Sequence, residues 1–162
     1  MKQLKIFTIE DPKEEKILRK ISKDVSIEEI KSEDFQQFLK DLLFTAKNSE
    51  DQVGIESGGI SAPQVGVNKR VVYIFNYETE EFEVLINPVV QNIGNKTEID
   101  IEGCLSVPNT EKNVKRFKKI KVKYIDKEGQ KVNRRFTGLN SRVVQHENDH
   151  LDGVLFIDKA ID

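Results

Sequence analysis

The chain has only two histidines, His146 and His150, four residues apart, with Glu147 directly after the first. This spacing constrains the fold more than any other feature. Side chains at i and i+4 stack on one face only where the backbone is helical. The stretch "TGLNSRVVQHENDHLDG" (Thr137 to Gly153) therefore predicts a helix late in the chain, ending at Gly153, with both imidazoles on one side. His-Glu-x-x-His on a helix can hold a metal ion through two imidazoles and offer the glutamate as general base. Two ligands do not complete such a site, because catalytic centres usually take three protein ligands and leave one position open. The 12 residues after His150 contain no Glu and no further His. The third ligand is therefore upstream, or is Asp152 or Asp158, both poorly placed. Cys104 is the one thiolate candidate, although a lone cysteine also serves as a small core residue.

The rest of the pattern predicts an α+β fold. Phe35, Phe38, Leu39, Leu42, Leu43 and Ala46 recur at helical spacing within Ser32 to Glu50, and Ser32 can cap the first turn, which predicts one long N-terminal helix. Met1 to Val25 reads as extended chain with at most a short helical turn. Ser57 to Gly66 reads as a Gly/Pro-punctuated loop. "RVVYIF" is a buried strand, and "EFEVLINPVV" is a strand that stops at Pro88. "IEGCLSVP" is an irregular segment beside a strand. "KKIKVKYIDKEGQKVNRRF" is a hairpin, because Ile120, Val122 and Tyr124 alternate with lysines before a "KEG" turn. "VLFID" closes the chain as a short strand. The expected architecture is a single domain, residues 1–162, of antiparallel strands in small sheets packed around the His-Glu-x-x-His helix.

Composition narrows the function classes. Charged residues make up 33% but the formal net charge is −2, so total charge predicts no pull toward nucleic acid. The N-terminus has no signal-peptide pattern, and no apolar run approaches a membrane span. With one cysteine no internal disulfide can form, so a reducing cytoplasm is expected.

Three stretches carry a resemblance: "GGISAPQ" (Gly58 to Gln64), "EGCLS" (Glu102 to Ser106) and "QHENDH" (Gln145 to His150). In this order and separation they resemble peptide deformylase, the metallohydrolase family that removes the formyl group from newly made proteins. The resemblance implies a metal held by Cys104, His146 and His150, naturally ferrous iron, with zinc, nickel or cobalt accepted. It implies that Glu147 carries a proton from the attacking water to the leaving amine. It also implies that the Gln64 side chain and the Leu105 backbone N–H stabilise the oxyanion. Gly59, with Ile60 and Gly103, would line the path of a substrate backbone pairing like an added strand. Glu102 and Arg116 would pair behind the ligands. The expected partner is an N-formyl peptide or a nascent chain at the ribosome, with no membrane contact and a monomeric enzyme.

The pattern also departs from its relatives. Gly58 stands where an apolar residue helps line the methionine pocket, and Asp100 and Arg142 stand at two further positions that are commonly apolar. Val143 follows as another pocket residue. Asp100 and Arg142 are expected to face each other and reshape the pocket. That would raise an alternative: an amidase of the same fold acting on N-formyl or N-acyl compounds with a polar first side chain. A catalytically silent metal-binding protein is opposed by the intact Cys104, Glu147 and histidine pair.

Overall fold

The computed structural model of the chain describes residues 1–54 and 58–161. Ser57, read above as the start of the Gly-rich stretch, lies outside the described residues. Four helices form before the first strand. In α1 (Pro12–Leu18) the Asp11 carboxylate accepts from the Lys13 N–H, and proline occupies the first turn, where it has no hydrogen bond to lose. After the short α2 (Ile27–Ile30), Ser32 caps α3 (Glu33–Lys47) by accepting from the Phe35 N–H. Its buried face carries Phe35, Leu39, Leu42 and Ala46. A single further turn, α4 (Glu50–Val53), follows.

The strands β1 (Gly59–Ser61), β2 (Val71–Asn76), β3 (Glu81–Asn92), β6 (Lys119–Ile125) and β7 (Lys131–Thr137) form an antiparallel sheet in the order β1-β2-β3-β6-β7. A separate hairpin pairs β4 (Thr97–Cys104) with β5 (Val107–Phe117). The helix α5 (Gly138–Leu151) then packs across the larger sheet. Alternation along β2 shows how both faces are buried. Val71 and Tyr73 join α3 in one core cluster, while Val72 and Ile74 join Val144 and Leu151 of α5 in another. A strand covered on both faces has no polar side, which is why "VVYI" is continuously apolar.

Several expectations change. The N-terminal 25 residues include a seven-residue helix, α1, in place of a short turn. The Gly/Pro loop contains β1 and a 3-10 turn, Ala62–Val65. The strand expected to stop at Pro88 runs on to Asn92. Its register shifts between Ile86 and Val89, and Asn87 takes a positive φ of 51°, so the proline sits in a bulge where no ladder N–H is needed. "IEGCLSVP" is the tip of the β4–β5 hairpin. "VLFID" forms a 3-10 turn, Phe156–Asp158, capped where the Asp158 carboxylate accepts from the Leu155 N–H. Helix α5 ends as expected, with Gly153 just beyond it at a φ of 73°.

Candidate metal centre

The last residue of β4 and one face of α5 converge. The tight turn at Leu105 and Ser106 ends β4 at Cys104, opposite Val107. Ligand atoms of Cys104, His146 and His150 all lie within 4.8 Å of one another. The Cys104 sulfur stands 3.3 Å from His150 Nε2. The His146 Nδ1 faces Glu102 Oε1 at 2.8 Å, which leaves Nε2 as its atom for the cluster.

Glu102 organises the layer behind. Arg116 donates to both of its oxygens, at 2.8 and 2.9 Å, and Arg142 donates to Oε2 at 2.7 Å. Arg116 also reaches Asp149, at 2.6 Å. Burial alone would raise the Glu102 pKa. Hydrogen bonds from Arg116 and His146 overcome it and hold the carboxyl well below the usual range.

The donor set suits a soft-to-borderline divalent cation: one thiol sulfur and two imidazoles. The electrostatics agree. Burial disfavours a charged His146, yet its hydrogen bonds to Cys104 and Glu102 prevail and raise its pKa well above the ordinary value. Burial and the His146 charge together keep His150 neutral. One positive charge is thus favoured at this point, and a metal cation can take the place of the proton. Among the described residues Glu147 Oε1 is buried with no hydrogen-bond partner, and burial pushes this carboxyl up to about 7. Its other oxygen explains Gly59. A Cβ there would lie 2.8 Å from Glu147 Oε2 and 2.9 Å from the Tyr73 carbonyl, so only glycine lets β1 pass.

Gln64 is held in one orientation. Its oxygen accepts from the Ser61 N–H and hydroxyl at 2.9 and 3.1 Å, which turns its NH2 toward Ser106 Oγ at 3.1 Å and Cys104 Sγ at 3.7 Å. A cavity of about 210 Å³ opens over these groups. Gly59, Gly103, Leu105, Arg142 and Val143 border it. Ile60 does not. Its side chain is fully buried in the α3-side core, so only its backbone lies along β1 at the site.

Asp100 requires a correction. It is exposed on β4, accepts from the neighbouring Ile101 N–H, and does not border the cavity. Arg142 does not pair with it. A buried guanidinium needs close acceptors on all sides, and Arg142 finds Glu102 together with the Val114 and Glu98 carbonyls, at 3.0 and 2.7 Å.

Three cavity residues were not foreseen: Ile101, Tyr77 and Leu139. Leu139 was findable, since it precedes Val143 and Glu147 at helical spacing. Tyr77 lies at the β2–β3 turn and has no local signal. Its hydroxyl stands 3.0 Å from where a Cβ on Gly58 would be, so it occupies the space left by the missing side chain.

A sequence profile of the polypeptide deformylase family matches residues 3–162. Peptide deformylase of Caldicellulosiruptor bescii is 43% identical over 159 residues, covering 97% of this chain and 85% of its own. That of Fusobacterium nucleatum is 39% identical over 145 residues, covering 90% of this chain and 79% of its own. Among solved structures, the Thermotoga maritima peptide deformylase superposes with a TM-score of 0.83 at 34% identity, covering 99% of both chains. A class I type b peptide deformylase from Acinetobacter baumannii with Met-Ala-Ser bound superposes with a TM-score of 0.82 at 32% identity, covering 97% of this chain and 98% of that one. On the match along nearly its whole length, the chain belongs to the polypeptide deformylase family.

Proposed function

We propose that Cys104, His146 and His150 hold one divalent metal ion, ferrous iron in the native enzyme, with zinc, nickel or cobalt able to replace it. Peptide deformylases remove the N-formyl group from nascent peptides, and that hydrolysis is the reaction of this protein. The observation that carries the site assignment is the three-ligand cluster beside a buried carboxylate, one oxygen of which has no hydrogen-bond partner among the described residues. When bound, the metal supplies Lewis acidity, which polarises the formyl group and makes water a nucleophile at neutral pH. Glu147 takes the proton of the attacking water at Oε1 and returns it to the departing amine. The formyl C–N bond breaks, releasing formate and a free α-amine. Burial makes this carboxylate a stronger base than one in water. The Gln64 NH2 and the Leu105 N–H donate to the oxygen that gains charge during attack. Glu102 holds His146 in its tautomer, and Arg116 and Arg142 hold Glu102.

The substrate backbone runs beside β1, where Gly59 leaves room, and past Gly103. Its first side chain enters between Tyr77, Leu139, Val143 and Ile101. Arg142 also borders this space, but its donors go to Glu102 and two carbonyls, so the walls are effectively apolar. This favours methionine, as in the Met-Ala-Ser held by the Acinetobacter enzyme, over a polar first residue. All these residues come from one chain, so a monomer suffices. Action on nascent chains is what supports a cytoplasmic location near the ribosome.

The test is anaerobic purification with metal analysis, followed by a panel of formyl-Met, formyl-Asp and formyl-Glu peptides. Metal is expected near one ion per chain, with formate released fastest from formyl-Met. Glu147→Gln should keep the metal and lose about 100- to 10,000-fold in kcat. Full turnover by this variant would overturn the role of Glu147.

A further inference from the structure

Charge is strongly segregated along this chain. Residues 112–135 contain 11 of the 26 Lys and Arg but only 2 of the 28 Asp and Glu. The net charge of −2 is thus the small difference between a very basic segment and an acidic remainder, and total charge conceals both.

The fold gathers five of those eleven cations on one surface. Arg116 and Arg134 are used internally, on Glu102 and Glu83. On β6, Ile120, Val122 and Tyr124 pack into the core beneath α5, so Lys119, Lys121 and Lys123 stand on the opposite face. Across β7, Arg135 lies beside Lys121 and Asn133 beside Lys123, while Lys131 lies at the end of the strand. On β3, Gln91 and Val89 flank the same two lysines. Lys119, Lys123, Lys131 and Arg135 are exposed and Lys121 is half-buried. Among the described residues none of the five is in an ion pair. Lysines two apart on a strand repeat about every 6.8 Å, which presents a regular row of cations. A hollow bordered by Val89, Ile125, Val132, Lys123, Lys131 and Asn133 adjoins the row.

We propose that this outer face of β6 and β7 binds the phosphodiester backbone of single-stranded RNA, with an unstacked base resting in the hollow. A row of unpaired cations gains affinity by releasing the counterions of a polyanion. Splayed bases are what proteins read in single-stranded RNA. A lipid surface fits less well, because membrane-binding faces add protruding apolar anchors to their cations. Here Val89 is the only apolar residue beside the row on β3 and β7, and it lines the hollow. The inference needs none of the chemistry at the Cys104 cluster, so it can fail without the proposed reaction failing.

The test is fluorescence anisotropy of the intact protein with a short, labelled, mixed-sequence single-stranded RNA, from about 50 to 200 mM salt. Five phosphate contacts predict a log–log salt slope of about −3.5, from roughly −0.7 per contact on a single strand. Combining Lys119→Gln, Lys121→Gln and Lys123→Gln should weaken binding at least tenfold and flatten the slope by about 2. Combining Lys13→Gln, Lys16→Gln and Lys20→Gln removes the same charge elsewhere and should leave binding within about threefold. Turnover of a free formyl peptide should be unchanged in the first triple variant. If it falls, the pair Lys131→Gln and Arg135→Gln supplies an independent readout of the same face, with a slope flatter by about 1.4. Absence of salt-dependent RNA binding by the wild type would overturn the proposal, as would equal losses in both triple variants. Tighter binding to phosphatidylserine vesicles than to RNA, lost in the first variant, would overturn RNA as the partner.

Discussion

Two glutamate–arginine pairs in this molecule share their chemistry and differ in their surroundings. Glu102 and Arg116 have side chains 5% and 3% exposed, while Glu83 and Arg134 are 29% and 35% exposed. Around Glu102, every oxygen has a charged or ring-nitrogen donor, from Arg116, Arg142 and His146. Around Glu83, Arg134 and Asn76 donate, and water can reach the rest. The buried group cannot lose a partner without stranding a charge, whereas the surface pair can rehydrate. Burial therefore makes the first pair a rigid support for His146, and the second only a modest clamp between β3 and β7.

The contrast can be broken by substitution, starting where the effect should be largest. Glu102→Ala leaves Arg116 and Arg142 buried without their carboxylate and should cost about 3–5 kcal/mol in urea unfolding. It should also weaken metal retention by about 10- to 100-fold, read as metal content after chelator challenge. A cost below about 1 kcal/mol would erase the distinction between the pairs. Arg142→Met should cost less, about 1–3 kcal/mol, because Glu102 keeps Arg116 and His146 while the Glu98 and Val114 carbonyls lose their donor. Arg134→Ala should cost about 1 kcal/mol, including its stacking on Phe136 at 4.6 Å, and the loss should shrink in high salt.

The smallest effect is a pH dependence. Burial would raise the Glu83 pKa, but hydrogen bonds from Arg134 and Asn76 prevail and lower it. A carboxyl whose pKa is lower folded than unfolded stabilises the fold above its ordinary range, and that gain is shed as pH falls through the lowered value. Arg134→Ala should therefore flatten the acid limb of stability while leaving the neutral plateau only slightly lower. An unchanged acid limb would show that Arg134 does not hold Glu83 ionised.

The legible parts were those with local periodicity. Ser32 marks the start of α3, which ends at Lys47, three residues short of the expected Glu50, and the alternating lysines mark β6. His146, Glu147 and His150 were placed on one helix by spacing, and Leu139 was readable in the same way. The β4–β5 hairpin was not, because Ile99 and Ile101 are exposed and its alternation carries no core signal. Pro88 misled because a bulge removes the penalty that normally ends a strand there. Asp100 and Arg142 look like partners because both depart from an apolar pattern, but Arg142 takes Glu102, two residues further along the same face of β4, while Asp100 stays exposed and accepts from the Ile101 N–H.

The sequence alone determined which residues are the candidates for the chemistry. Two histidines at helical spacing, with Glu147 beside the first and Cys104 as the one thiol, are legible because residue type and period are local properties. Tertiary structure decided what surrounds them. Arg142 spends its charge on Glu102, Tyr77 occupies the space beside Gly58, and the lysines of β6 share one face with Arg135 of β7. Each depends on contacts between segments far apart in the chain, set by sheet register and helix packing rather than by local pattern.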